Sequence, residues 1–207
     1  MKRINFVKLV LLSVLVGMLG GLVGTAFHIS VEFATKLREN NFGIICFLPL
    51  GGLLICAMYN LFRSKGNIDT RRVFESVKQD KDVPLVMMPL IFVGTVVTHM
   101  FGGSAGREGA ALQLGGSMGY NAAKALKLDR QDIKIMVTAG MSAVFAALFG
   151  TPLAAAVFSL EVTKGIKVNF KALLPGVASS LTAFDMVLSP SASITTVPSN
   201  VSSMCFI

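Results

Sequence analysis

Residues 102–119 read Gly-Gly-Ser-Ala-Gly-Arg-Glu-Gly-Ala-Ala-Leu-Gln-Leu-Gly-Gly-Ser-Met-Gly, setting one charged pair, Arg107 and Glu108, in otherwise apolar surroundings. An ionised side chain at mid-bilayer costs about 2.5–3.5 kcal/mol on insertion scales, so it faces a protein interior or a water-filled path rather than lipid. Gly102, Gly103 and Gly106 let the backbone bend and approach a ligand closely, and the small residues that follow suit a tightly packed helix. A glycine turn feeding a helix start inside a membrane is an anion site in outline. The free N–H groups of residues 107–110 would point outward along the axis, where the macrodipole adds roughly half a positive charge.

The composition agrees with a membrane setting. Hydrophobic residues make up 53% of the 207 and charged residues 14%, with a mean hydropathy of +0.69. These values exclude an ordinary soluble domain and a disordered chain. The net charge of +8 falls on short links between apolar runs, as the positive-inside rule expects. Without a basic stripe interleaved with aromatics, nucleic acid is not an expected partner. Cys46, Cys56 and Cys205 are odd in number and badly spaced for pairing, so free thiols are expected, with no metal or cofactor site.

Leu9–Val31 and Phe42–Phe62 are each long enough for a crossing helix of about 20 residues, joined by a short polar link over Glu32–Asn41. Gly17, Gly20, Gly21 and Gly24 form two Gly-x-x-x-Gly pairs, where other helices can pack closely. His28 in the same run is expected as a core histidine bonded to a neighbouring carbonyl, with a proton relay as the alternative. The mixed-charge loop from Arg63 to Asp82 marks the cytoplasmic side together with Lys2 and Arg3. Val83–Phe101 is a third apolar run. The helix expected from Arg107 is short of charge-free residues before Lys124 and so re-entrant or tilted. Ile135–Leu160 is interrupted by Gly150-Thr151-Pro152, which predicts two short helices, the second capped by Thr151 and starting at Pro152 with a buried, donor-rich end. Ala172–Leu188 is a weaker run, and residues 189–207 read as a polar tail or truncated loop.

Gly106-Arg107-Glu108-Gly109-Ala110 followed by Leu112-Gln113-Leu114-Gly115-Gly116 resembles the Gly-Lys/Arg-Glu-Gly-Pro motif of the CLC chloride channels and anion/proton antiporters. Residues 139–161, from Ala139-Gly140-Met141-Ser142 through Gly150-Thr151-Pro152 to Phe158-Ser159-Leu160-Glu161, are similar to the next two helices of that family. The resemblance implies an all-α integral membrane fold with broken and re-entrant helices, residues 1–188 forming one of two inverted repeats. It implies a multi-pass location, as in a bacterial plasma membrane, and a homodimer in the lipid bilayer. It further implies halide transport, chloride or fluoride exchanged for protons, and no enzyme activity. By position, Glu108 matches the gating glutamate, which occupies the anion site when deprotonated and leaves it when protonated. The anion-binding positions implied are Gly66, Asn67, Gly106, Arg107, Glu108, Gly109 and Ala110.

The chain departs from the family pattern at Ala110, where proline is usual and where alanine restores an N–H donor. It departs again at Lys65-Gly66-Asn67-Ile68-Asp69, which lacks the chloride-contacting serine of Gly-Ser-Gly-Ile-Pro. Both changes resemble the fluoride-exporting branch. Glu161 matches the first of two adjacent glutamates in some exchangers, while the second, an internal proton carrier, matches Val162. The second repeat is not within these 207 residues, so the expectation is a truncated copy or fragment, with a pathway completed by two copies as the alternative. Two other readings stand beside transport. One is a nonconducting remnant or membrane-packing partner. The other is an intramembrane serine protease, with Ser104 as nucleophile in Gly103-Ser104-Ala105-Gly106 and a base drawn from His28 or His99.

Overall fold

Apolar sequence that must satisfy every backbone N–H and C=O away from water folds as helix, and this chain does so in all its described regular elements. The computed structural model describes residues 5–63, 73, 82–163 and 170–188. In chain order the helices are α1 (Phe6–Asn40), a 3-10 segment (Phe42–Phe47), α2 (Leu48–Arg63), α3 (Met87–Met100), α4 (Arg107–Ala125), α5 (Arg130–Phe149), α6 (Pro152–Val162), a 3-10 turn (Phe170–Ala172) and α7 (Leu173–Leu188). By length and composition α1, Gly43–Phe62 and α5 can cross a membrane, while α3, α6 and α7 are apolar but shorter. The expected all-α membrane architecture with short and broken helices is therefore what the chain adopts.

Several boundaries differ from the sequence reading. The polar link expected over Glu32–Asn41 is helical as far as Asn40. Glu32 and Lys36 lie one turn apart with Oε1 and Nζ at 2.8 Å, and glutamate N-terminal to lysine is the favourable order for such a pair. Along its axis α1 is about 52 Å long, well beyond the ~30 Å hydrocarbon thickness, so its polar end projects or the helix lies obliquely. His28 is not a core residue bonded to a carbonyl. Its side chain is 43% exposed and its Nε2 lies 3.7 Å from Glu32 Oε2. The third run starts late, because Pro84 belongs to a turn whose carbonyl accepts the Met87 N–H at 3.0 Å, and Pro89 is tolerated in the first turn of α3.

The glycine pairs of α1 sort two neighbours onto two stripes. A Cβ on Gly17 would lie 2.6 Å from the Ser179 carbonyl and one on Gly21 3.1 Å from that of Ala183, both on α7. On Gly20 and Gly24 the same atom would meet Ala143 and Ala147 of α5, each at 2.6 Å. Helix α5 runs through the middle of the structure, and Ser179 Oγ of α7 donates to its Ala139 carbonyl at 2.7 Å. Against α4 the approach is closer still, backbone to backbone, at Gly140 and Gly115. The expected break holds: Gly150 takes φ +68 after α5, and Pro152 is the first residue of α6. Two details differ there. Thr151 makes no side-chain cap, and it is exposed rather than buried, so the α6 start is not an enclosed donor site among the described residues.

Asp82, ahead of α3, ties that helix to the far end of α4. Its carboxylate accepts a hydrogen bond from the buried Tyr120 hydroxyl and lies 3.1 Å from Lys124 Nζ. The Tyr120 hydrogen bond first, then Lys124, holds its carboxyl below the usual carboxylate range. A lowered folded-state value stabilises above the unfolded value near 3.9 and is lost as pH falls through the folded one. Because the side chain is 77% exposed, screening limits the ion-pair part to under about 1 kcal/mol. Asp82→Asn is therefore expected to lower the thermal midpoint slightly at pH 7 and by less at pH 3. Paired melts in detergent check this, and an equal loss at both pH values would contradict it.

Candidate functional site at the start of α4

The turn between α3 and α4 is set by a hydrogen-bond pattern that requires glycine. Gly103 N–H donates to Thr98 O at 2.8 Å and Gly102 N–H to His99 O at 3.2 Å, with Gly102 at φ +84. This is the Schellman termination, in which the residue after the cap takes the left-handed conformation. After it Gly106, at φ −68 and ψ 116, is the N-cap of α4 and offers no side chain to its free amides. The first helical bond runs from Ala110 N–H to Gly106 O at 3.4 Å.

That bond moves the donor set expected at residues 107–110 back by one, to Gly106–Gly109. Ala110 is turned into its own helix, so the alanine that replaces the family's proline supplies a helical bond rather than an anion ligand. At Gly106 and Gly109 no heavy atom lies within 4 Å of where a Cβ would be, so the flank of the first turn is open at both glycines among the described residues.

Arg107 and Glu108 diverge, as successive residues on a helix must. The Arg107 Nε–H donates to His99 Nε2 at 3.4 Å, and its Nη2 to Thr35 Oγ1 on α1 at 3.5 Å, both long contacts. Glu108 is exposed, and no hydrogen bond or ion pair reaches it among the described residues. Nearby, Arg38 of α1 donates to the His99 carbonyl at 3.3 Å, putting a cation against the negative end of α3. Gly66 and Asn67 lie outside the described residues.

The Asp82–Lys124 pair holds the start of α3 beside the end of α4. From there α3 is about 21 Å long, and α4 rises about 26 Å back to Arg107. Both fall short of the ~30 Å core.

A sequence model described as "Voltage gated chloride channel" matches residues 51–204, most of the chain. The chain belongs to this family. It is 37% identical over 177 residues to a "Chloride/fluoride channel protein" of Pseudomonas syringae pv. tomato, covering 85% of this chain and 39% of that one. An "H(+)/Cl(-) exchange transporter" of Vibrio cholerae is 30% identical over 169 residues, 72% of this chain and 35% of the relative. The crystal structure of a CLC-type fluoride/proton antiporter superposes with a TM-score of 0.82 at 35% identity, over 90% of this chain and 48% of that one. A slow cyanobacterial Cl−/H+ antiporter shares the fold, at TM-score 0.70 and 19% identity. The chain spans less than half the length of each of these relatives.

Sequence reasoning missed Thr35 and Arg38 as neighbours of the motif, and it weighed His99 only as a base for Ser104. In the structure His99 Nδ1 faces the Thr95 carbonyl at 2.8 Å and Nε2 faces Arg107, which leaves the protease reading without a base at that position. The polar residues at the end of α1 were the available signal. Only packing shows that they meet the turn.

Proposed function

We propose that this chain is the N-terminal repeat of a CLC-type anion/proton antiporter that handles fluoride or chloride in a multi-pass membrane protein, as a homodimer in the bilayer. The observation that carries the proposal is Glu108: a carboxylate without a cation partner among the described residues, on the first turn of a helix whose start has no side-chain cap over its Gly106–Gly109 amides. Deprotonated, the carboxylate competes with an anion for those amides and for the positive end of the helix dipole. Protonated, it loses that attraction and gives the position up. Exchange of one occupant for the other couples a proton to an anion. The names of the relatives support both anions, and the fluoride/proton antiporter is the one with the higher structural similarity of the two described. Gly66 and Asn67 are proposed to complete the anion site from the preceding loop.

Reconstitution tests this. Vesicles loaded with potassium fluoride or potassium chloride, made permeable to potassium by an ionophore, should release the anion when a protein carrying this repeat joined to its second repeat is present, and take up protons as they do so. Vesicles no leakier than protein-free ones would favour the nonconducting packing partner instead.

A further inference from the structure

His99 and Thr35 each spend their only hydrogen inside their own helix. Thr95 O can only accept, so at 2.8 Å the proton sits on His99 Nδ1, and the Nε2 lone pair is left facing Arg107. The Thr35 hydroxyl donates to Val31 O at 2.8 Å, which leaves its oxygen lone pairs toward Arg107 as well. Two acceptors from two helices are thereby fixed in orientation before the guanidinium arrives. His99 is buried, and Arg38 holds its carbonyl from the other side. The other charged groups on this part of α1 are Glu32, Lys36 and Glu39; Glu32 is paired with Lys36 at 2.8 Å, and its carboxylate also attracts Arg107 at longer range.

We propose that His99 and Thr35 are positioning residues: they hold Arg107 on the α1/α3 side, keep its guanidinium off Glu108, and so leave that carboxylate free to move. The proposal rests on the reading of Glu108 as the gate for its purpose, though not for its geometry. An arginine beside a carboxylate at the head of a helix would otherwise form a charge-assisted pair with it, and a paired gate would be held in one place. Neutral acceptors on neighbouring helices compete for the same N–H groups, and the Glu32 carboxylate adds a longer-range pull toward α1.

Nitrogen NMR on the 207-residue chain in lipid nanodiscs tests this, because the sequence has only two histidines and His28→Gln assigns them. The expected spectrum shows His99 protonated at Nδ1 and bare at Nε2. Arg107→Gln should move the His99 Nε2 signal and leave His28 unchanged. His99→Gln, which keeps an acceptor, should retain the hydrogen-bonded Arg107 Nε–H signal, whereas His99→Leu should lose it. Should the leucine variant not fold, the wild-type tautomer and the Arg107→Gln comparison still decide. A proton on Nε2, or an Arg107 signal that responds to Glu108→Gln and not to His99 substitution, would overturn the proposal. These signals do not depend on transport, so the Arg107 placement can pass this test while Glu108→Gln leaves proton coupling of the complete transporter unchanged, which refutes the gate reading alone.

Discussion

Gly140→Ala is expected to prevent stable packing of α4 on α5. The added Cβ would lie 2.2 Å from the Gly115 carbonyl oxygen and 3.1 Å from Gly119 Cα, and both are backbone atoms that no rotamer can move aside. The reverse change meets the same wall, since a Cβ on Gly115 would sit 2.2 Å from the Gly140 oxygen. Overpacking costs about 1–3 kcal/mol where side chains can yield, so here the cost should reach or exceed about 3 kcal/mol. In lipid, helices associate through close packing rather than apolar burial, which leaves little to offset the loss. Gly52→Ala is the matched control. It lies in α2 with no atom within 4 Å of the new Cβ, so the alanine should be neutral or stabilise by up to about 1 kcal/mol through helix propensity alone. Denaturant titration of helicity in mixed micelles checks both. A Gly140→Ala protein as stable as wild type would mean that the two backbones do not touch.

The pattern of small residues made this contact legible in kind but not in detail. Glycines at four-residue spacing say that a helix can approach, and the α1 stripes do receive helices. They do not say which, because the choice between α5 and α7 depends on rotation about the α1 axis. The broken segment at Gly150 and Pro152 was legible for a local reason, a left-handed position followed by a residue with fixed φ. The end of α1 was not, since Glu32–Asn40 is polar enough for a loop and becomes helix through a lysine four residues after a glutamate. At the candidate site the glycine turn and the charged pair could be read from adjacent letters. Of the two partners of Arg107, Thr35 comes from α1, about seventy positions away, and pairing at that separation leaves no trace in a single sequence. The shift of the amide donors from 107–110 to 106–109 has a similar origin. It depends on where the first helical hydrogen bond forms, and a run of Gly-Arg-Glu-Gly-Ala permits more than one register.

Glu108→Gln is expected to abolish proton uptake while anion flux continues. The amide matches the carboxyl in size but carries no charge at any pH, so it behaves as the protonated form held permanently. An anion then no longer competes with a carboxylate for the Gly106–Gly109 amides. A single charge at a helix terminus is worth up to about 2 kcal/mol, so removing the competitor should raise apparent anion affinity by up to about 30-fold. Flux through the variant should also lose the pH dependence of the wild type, because the group that exchanges with the anion no longer titrates. Glu108→Asp separates charge from reach: it keeps the carboxylate but draws it back by a methylene, so coupling should weaken without vanishing. The measurements are anion efflux and proton uptake recorded on the same vesicles, with anion affinity by calorimetry in detergent. Undiminished proton uptake in Glu108→Gln would remove the carboxylate from the coupling step, whatever the anion flux. Loss of both fluxes with normal anion binding would assign Glu108 to the path itself rather than to competition for it.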